Sequence, residues 1–262
     1  MKGFSKPAAS KAVDECHAIE HCGLRIADFA FPFAIRNSDR LVGLSVRIVL
    51  LGPPGAGKGS LASLYEARLG MAHLSTGEIF RQEIARNSAL GRRVQRYVIN
   101  GRLVPNALVV EVMAAQLRKR HPRGFVLDGF PRTEGQAAGL NRVLKRLHQP
   151  LDTAVCLTSP RELLVRRLSG RRVCSQCGEN YHIRTMRPRR PGRCDRCSGN
   201  LITRKDDQSD TIRKRLRIDR KASKPLVAYY RRHGLLHRVD GRGHIHTVFA
   251  RTLKLFRRKG WL

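Results

Sequence analysis

The sequence predicts an α/β fold in which a parallel β-sheet is flanked by helices. Short runs rich in β-branched residues and leucine recur along the chain, as is typical of buried parallel strands. Stretches of helical periodicity separate these runs, and strands that alternate with helices form right-handed crossover units. The hydrophobic content of 41% is sufficient for a folded core, which excludes a disordered basic chain.

The predicted elements follow one another in a regular order. Strands are predicted at 46–51, 124–128, 153–157 and 236–239. Helices are predicted at 58–69, 77–87, 106–120, 133–147, from Ser159–Pro160 onward, at 208–233, and after the turn at Asp240–Gly241. Residues 171–205 interrupt the alternation and are predicted to form an inserted small module.

The charge of the chain is strongly unbalanced. The 262 residues include 52 Lys and Arg against 20 Asp and Glu, which gives a net charge of +32. Such a chain favours polyanionic partners: nucleic acid, an anionic membrane or phosphorylated small molecules. Because no apolar run approaches the ~18–20 residues of a membrane span, we expect no transmembrane segment.

Residues 1–45 differ from the rest, with six cations and five acids. Five acids argue against an organellar transit peptide, and there is no leader with a cleavage site. We expect this segment to be a poorly ordered extension outside the folded region, which begins at Val46.

Four of the seven cysteines are spaced as metal ligands. Cys174 and Cys177 form one Cys-x2-Cys pair, and Cys194 and Cys197 form another after sixteen intervening residues. This spacing predicts a four-cysteine zinc site, with two disulfides or four unligated thiols as the alternative. Because four protein ligands leave no open coordination position, the predicted role is structural.

A glycine-rich segment, Gly52–Ser60, follows the first predicted strand and opens a helix. This context is that of a phosphate-binding P-loop, in which backbone amides and the helix N-terminus surround phosphate oxygens. Lys58 is predicted to bridge the β- and γ-phosphates, and the Ser60 hydroxyl is placed for Mg²⁺ or phosphate. The alternative is an ordinary glycine-rich turn with a solvated lysine.

With this segment, the chain resembles the adenylate kinase family, and further blocks occur in the family's order. The matching blocks are Leu74–Arg81, Gly101–Val109, Gly124–Gln136, Gly170–Arg172 and Thr203–Arg215. The resemblance implies a P-loop NTPase-like core over 46–262, an NMP-binding subdomain at 75–104 and a lid subdomain at 170–207. The cysteines fall within the lid, as in the long-lid, zinc-bearing branch of the family.

The resemblance also implies a set of site residues. Those assigned to ATP are Gly55, Ala56, Gly57, Lys58, Gly59, Ser60, Arg167, Arg171, Asn180, Tyr181 and Gly243. Those assigned to AMP are Thr76, Arg81, Arg102, Leu103, Val104, Gly129, Phe130, Pro131, Arg132, Gln136, Arg204 and Arg215, with Gln136 as the reader of adenine. The catalytic assignments are Lys58, Asp128, Arg132, Arg171, Arg204 and Arg215, and Asp128 orients Mg²⁺ through water.

The implied activity is the reversible, Mg²⁺-dependent transfer of the terminal phosphoryl group of ATP to AMP, which gives two ADP. The implied protein is a cytoplasmic monomer with a structural zinc. Two alternatives stay open: a kinase for another nucleoside monophosphate, and additional nucleic-acid binding through the basic surface. Arg187, Arg189, Arg190 and Arg193 lie outside the implied nucleotide contacts, so catalysis does not explain their charge.

The chain departs from the family pattern at three positions. Ser60 replaces a threonine and keeps the hydroxyl, and Asn106 replaces an aspartate and is expected to cap a helix. Val46 stands where the family has its first methionine, and no methionine occurs between Met1 and Met71. Residues 1–45 are therefore either an untranslated artefact of an upstream start or a dispensable extension.

Overall fold

The structure is a computed structural model that describes residues 44–100, 102–120 and 122–262. Residues 1–43 of the predicted extension lie outside the described ranges. The expectation that this extension is poorly ordered therefore stays a prediction. Within the described ranges, no helix combines the length and the apolar character that crossing a membrane requires.

From residue 44 onward, the described residues form eight strands and eight helices in chain order, with one 3₁₀ turn at Lys205–Asp207. The strands are β1 (Arg47–Leu51), β2 (Ala72–Ser75), β3 (Phe125–Asp128), β4 (Thr153–Thr158), β5 (Arg171–Cys174), β6 (Asn180–His182), β7 (Leu201–Ile202) and β8 (Leu236–Asp240). The helices are α1 (Lys58–Leu69), α2 (Thr76–Ala85), α3 (Ala89–Ile99), α4 (Asn106–Arg120), α5 (Glu134–Arg146), α6 (Arg161–Ser169), α7 (Ser209–Arg232) and α8 (Ile245–Arg258).

Five strands form the main sheet in the order β2-β3-β1-β4-β8, and every neighbouring pair is parallel. Side chains alternate between the two faces of a strand, and both faces of β1 are buried. Val49 and Leu51 belong to a core with α4, α5 and α7, while Ile48 and Leu50 are no more than 1% exposed on the other face. The predicted parallel sheet covered by helices is therefore confirmed.

A smaller antiparallel sheet, in the order β6-β5-β7, forms the module between α6 and α7. The break in alternation at 171–205 marks this module. Its core contains Cys174, Tyr181 and Cys194, with Cys177 partly buried against them, so two of the four predicted metal ligands lie in its packed centre while Cys197 is exposed.

Outside the cysteine module, whose three strands were not individually predicted, the sequence patterns missed two elements, β2 and α3. Strand β2 is a four-residue edge strand that contains His73 and Ser75, and it is too short and polar to give an apolar run. Helix α3 is separated from α2 by Asn87, whose φ is +49°, and is capped by Ser88, whose hydroxyl accepts from the Gly91 amide at 2.9 Å.

Candidate active site and metal centre

The segment Gly52–Ser60 connects the carboxyl end of β1 to α1. Strand β1 lies between β3 and β4 in the sheet, so the connections from neighbouring strands leave in opposite directions at its carboxyl end. Open α/β sheets usually bind their ligands in the crevice formed at this point. Three of the glycines in Gly52–Ser60 are required by the backbone, and one of them is Gly55, whose φ is +83°. Gly52 has φ +131° and a Cβ there would lie 2.5 Å from the Leu157 carbonyl oxygen, and Gly57 has φ +97°.

Lys58 is folded against this loop. Its Nζ donates to the carbonyl oxygens of Gly52 at 2.6 Å and Pro53 at 3.0 Å. Burial lowers the pKa of Lys58, against the opposing attraction of Asp128 and Asp219. The ammonium group is therefore held at the phosphate-binding turn by contacts that an anion can replace.

Asp128 ends β3 and lies directly across from Leu50 of β1. The neighbouring His73 Nε2 is 3.9 Å from Asp128 Oδ2, which is an ion-pair distance rather than a hydrogen bond. Burial acts to raise the pKa of Asp128, but the charges of His73 and Lys58 outweigh it and hold that pKa below its ordinary value. The carboxylate is therefore ionised at neutral pH.

A cavity of about 1470 Å³ opens over the P-loop and extends to the small sheet. It is lined by Gly55, Ala56, Gly57, Lys58, Gly59, Ser60, Arg81, Asp128, Gly129, Pro131, Arg132, Arg167, Arg171, Asn180, Tyr181, Arg204, Arg215 and Gly243. All the residues that the resemblance assigned to ATP and to catalysis thus border one space. Ligand pockets commonly measure ~300–1,000 Å³, so this space is large enough for an extended ligand.

A second cavity, of about 70 Å³, adjoins the first. Its lining includes Thr76, Arg81, Arg102, Leu103, Val104, Gly129, Arg132, Gln136 and Arg215. Most of the residues assigned to AMP therefore surround it. Pro131 and Arg204 line only the first cavity, and the Phe130 side chain, which is fully buried in the core, lines neither cavity.

Arg167 lines the large cavity beside the P-loop, where its Nη1 donates to the Ala56 carbonyl oxygen at 3.5 Å. Its Nη2 donates to the carbonyl oxygens of Gly241 and Gly243, each at 3.0 Å. This brings together two of the sequence-assigned ATP residues, Arg167 on α6 and Gly243 on the loop before α8. The flat guanidinium group at this position provides a surface on which a nucleobase can stack.

Two aspartates that sequence reasoning left without a role hold the arginines. Asp207 accepts two hydrogen bonds from Arg171, each at 2.6 Å, and a third from Arg215 at 2.9 Å. Asp206 forms a 2.9 Å ion pair with Arg215. The matching sequence block contained both aspartates and Arg215, but nothing in the block indicated that Asp207 also binds Arg171, 36 positions earlier in the chain.

The charge of Arg204 is less well compensated by carboxylates than the charges of Arg171 and Arg215. Arg204 Nη2 donates to Asn180 Oδ1 at 2.9 Å, and its Nε is buried without a hydrogen-bond partner. Burial and the nearby charges of Arg81 and Arg171 lower the pKa of Arg204 to about 9. An anion placed among these guanidinium groups would relieve their mutual repulsion, so the site is suited to phosphate.

Gln136 is 2% exposed and is fixed at both ends of its amide. Its Oε1 accepts from the Arg132 backbone amide at 2.7 Å, and its Nε2 donates to Asn106 Oδ1 at 3.1 Å. Asn106, expected only to cap a helix, is instead the first residue of α4, and its side chain also accepts from Thr133 at 3.0 Å. Asn106 therefore orients the side chain assigned to base recognition.

Asp219 is another residue that the sequence patterns missed. It lines the large cavity and lies one helical turn after Arg215 on α7. Burial raises the pKa of Asp219, against the opposing charges of Lys58 and Arg132. A second carboxyl group, after that of Asp128, is thus present among the cations that line the large cavity.

The four cysteines come together in two equivalent turns. The Gln176 amide donates to Cys174 Sγ and the Arg196 amide donates to Cys194 Sγ, both at 3.4 Å. Each turn closes through a residue with positive φ, Gly178 at +76° and Ser198 at +58°. The repeated Cys-x2-Cys spacing therefore produces the same local geometry twice.

The sulfur atoms fit a single tetrahedral metal ion. All four lie within 4.8 Å of one another, and the Cys174–Cys197 and Cys177–Cys194 Sγ pairs are 3.4 and 3.5 Å apart. Thiolates about 2.3 Å from a central zinc ion would be about 3.8 Å apart. These distances are too long for the disulfide alternative, since an S–S bond measures ~2.05 Å, and the cysteines are compatible with zinc.

Comparison with known proteins gives the same family that the residues indicated. The adenylate kinase family model matches residues 50–235. The chain is 43% identical over 206 residues to an adenylate kinase of Clostridium botulinum, with 78% of this chain and 95% of the relative covered. It is 46% identical over 197 residues to that of Moorella thermoacetica, with 75% and 91% covered.

An adenylate kinase of Clostridium beijerinckii is 42% identical over 205 residues, covering 78% of this chain and 95% of the relative. The family-model match spans the P-loop, the second cavity and the cysteine module rather than one shared motif. With the matching site geometry, these matches establish that this chain belongs to the adenylate kinase family.

Proposed function

We propose that this chain catalyses the Mg²⁺-dependent reaction ATP + AMP ⇌ 2 ADP with the residues assigned above. The observation that carries the proposal is the junction of the two cavities. Gly129, Arg132 and Arg215 line both of them, so groups bound in the two spaces would meet between these guanidinium groups. The P-loop borders one cavity and Gln136 borders the other.

The proposed catalysis consists of positioning and charge neutralisation. Phosphoryl transfer needs its attacking and leaving oxygens in line and its equatorial oxygens neutralised. The P-loop amides and Lys58 would hold the donor's β- and γ-phosphates. Arg132, Arg171 and Arg215 would surround the transferring group, because their rigid forks can bind phosphate oxygens in pairs.

The aspartate contacts supply a way to keep these arginines in place. Arg171 and Arg215 already point at a common centre because Asp207 binds both. The carboxylates would already hold these guanidinium groups in position before phosphate binds. Bound phosphates would therefore not have to order mobile, solvent-exposed arginine side chains. Less side-chain entropy is then lost when the nucleotides bind.

The family uses Mg²⁺ with ATP, and the residues beside Lys58 fit that ion. The Ser60 hydroxyl and the Asp128 carboxylate both line the large cavity, and oxygen atoms are the donors that Mg²⁺ prefers. Bound there, the ion would neutralise charge on the β- and γ-phosphates. We assign zinc to the four cysteines as a structural ion of the lid.

The subdomains proposed to move are the NMP-binding segment 75–104 and the lid 170–207. Closure over the nucleotides would exclude water and favour transfer over hydrolysis. The exposed apolar side chains Ile183, Met186 and Ile202 of the lid line the large cavity, and closure would bury them.

We further propose a cytoplasmic monomer. A reducing compartment such as the cytoplasm would keep the cysteines available for metal.

A panel of phosphoryl acceptors tests the proposed substrate. With ATP and Mg²⁺, AMP should give a kcat/KM at least about 100-fold above those of CMP, UMP and GMP, because a buried, oriented amide rejects bases with unmatched hydrogen-bonding groups. A coupled assay of ADP formation measures this ratio. A preference for another acceptor would establish the alternative nucleoside monophosphate kinase.

The role of Asn106 can be measured separately. Replacing Asn106 by Ala leaves Gln136 Nε2 without its partner, which costs ~1–3 kcal/mol when the group is buried. We expect KM for AMP to rise about tenfold while KM for ATP stays within about twofold. Asn141→Ala, on the exposed part of α5, is the matched control and should change neither constant. Equal increases in both KM values for Asn106→Ala would contradict a role confined to AMP.

A further inference from the structure

Four arginines on the lid have no place in the nucleotide site. Arg187, Arg189, Arg190 and Arg193, hereafter the outer arginine patch, are all exposed and line neither cavity. In the part of the chain that the structure describes, no carboxylate lies within ion-pair distance of their guanidinium groups. The nearby Asp195 accepts from the Arg189 backbone amide at 2.8 Å and not from its guanidinium group. Arg187 Nε donates to the Ile183 carbonyl oxygen at 3.0 Å and Arg193 Nη1 to the Ser198 carbonyl oxygen at 3.4 Å. Each of these contacts uses one of the five N–H donors of a guanidinium group and leaves its charge without a carboxylate partner.

Helix-terminal effects do not account for these charges. Much of the remaining positive surplus occurs in the last turns of helices, as at Arg118–Arg120 on α4 and Lys145–Arg146 on α5. Cations there interact favourably with the helix dipole. The outer arginine patch lies instead in a loop between the two cysteine turns, where no helix end gives it that stabilisation.

The loop that carries the patch is fixed by its own backbone. The Arg193 amide donates to the Arg190 carbonyl at 3.1 Å, and the Leu201 amide donates to the Gly192 carbonyl at 2.9 Å. The residue after Arg193 is Cys194, which belongs to the four-cysteine cluster and holds this end of the loop in place. The guanidinium groups are thus presented from a rigid base, which reduces the backbone ordering that binding would require.

We propose that the outer arginine patch binds the phosphodiester backbone of single-stranded RNA. Arginine forks suit phosphate oxygens spaced along a chain. Of the exposed lid hydrophobics, Ile183, Met186 and Ile202 all line the nucleotide cavity, so the patch lacks the apolar partners that would favour insertion into a membrane. No aromatic side chain is exposed between Arg187 and Arg193, so binding is expected to depend on phosphates and not on base sequence.

The test compares two variants that lose the same charge. One replaces Arg187, Arg189, Arg190 and Arg193 by Ser, and the matched control replaces the exposed Arg118, Lys119, Arg120 and Arg146 by Ser. Fluorescence anisotropy follows a labelled RNA of about 20 nucleotides, longer than the ~4–16 that one small module covers, across ~50–200 mM salt. Metal content and ADP formation should match those of the unchanged chain in both variants.

We expect the lid variant to bind at least tenfold more weakly near 100 mM salt, with the control within about twofold of the unchanged chain. The slope of log K against log salt should become shallower by about 3 in the lid variant, since each single-strand phosphate contact contributes ~0.7. Equal losses of RNA affinity in both variants would overturn the proposal, because net charge alone would then explain the binding. So would an unchanged chain that does not bind RNA, or one that binds phosphatidylserine vesicles instead. None of these outcomes depends on which nucleotide the kinase phosphorylates.

Discussion

The Lys58→Met variant is expected to lose at least about 1,000-fold in the kcat for ADP formation while it remains folded. Preorganised cationic groups at a transferring phosphoryl group are worth ~10³–10⁵ in rate, and among the side chains that the structure describes no other lysine lines either cavity. Methionine nearly matches the length of the lysine stem but cannot neutralise phosphate. Stopped or coupled assays of ADP formation at saturating ATP and AMP measure the loss.

The folded state of this variant is expected to be nearly unchanged, because Lys58 is buried against the loop and its pKa is already lowered by burial. Removal of the charge relieves that desolvation cost, which offsets the loss of the hydrogen bonds to Gly52 and Pro53. Lys119→Met on the exposed end of α4 is the control and should keep full activity. Retention of more than about a tenth of the activity by Lys58→Met would refute the assigned role.

The parts of the site that depend on short stretches of sequence were the most predictable. The P-loop requires glycines at fixed offsets, since Gly52 and Gly57 adopt positive φ, and any sequence that lacked them would fail locally. The cysteine turns are similarly short and self-contained. The same locality explains why β1, β3 and β4 were found and the polar edge strand β2 was not.

The residues that were missed act through long-range contacts. Asp207 binds Arg171, which is 36 positions away, and Asn106 contacts Gln136 across 30 positions. An aspartate or asparagine in a loop is compatible with many local roles, and only the assembled fold selects one of them. Phe130 illustrates the converse, because its place between Gly129 and Pro131 suggests a ligand contact while its ring completes the core.

The charge of +32 divides along similar lines. Lys58, Arg132 and Arg215 are gathered at the cavities with carboxylates beside them, which is the arrangement expected of phosphate-binding cations. The outer arginine patch has the same residue type without these partners or this location. Composition alone could not separate the two groups, since the separation depends on whether the folded chain places each side chain at a cavity or away from both cavities.

The Cys174→Ser variant is expected to lose bound zinc and to melt at a lower temperature than the unchanged chain, with a smaller loss of activity at low temperature. Removal of one thiolate from a four-cysteine site leaves three protein ligands and an open position. Metal binding is coupled to folding of the surrounding segment. The free energy of metal binding that the variant loses therefore no longer stabilises the lid. Elemental analysis after dialysis should fall from about one metal ion per chain to near zero.

The lid is where this loss will act, because Cys174 and Cys194 form most of its small core with Tyr181. Tyr181 Oη also contacts Cys194 Sγ at 3.4 Å and accepts from the Asp195 amide at 2.7 Å, so displaced cysteines would loosen the whole module. Cys156→Ser, in the buried strand β4, makes the same chemical change outside the cluster and should retain the metal. Since Arg171 and Arg204 lie at the two ends of the lid and contact the cavity, a loosened lid should raise KM for ATP more than it lowers kcat. If kcat fell to background while the melting temperature stayed unchanged, the metal would have a catalytic role that four cysteine ligands do not permit.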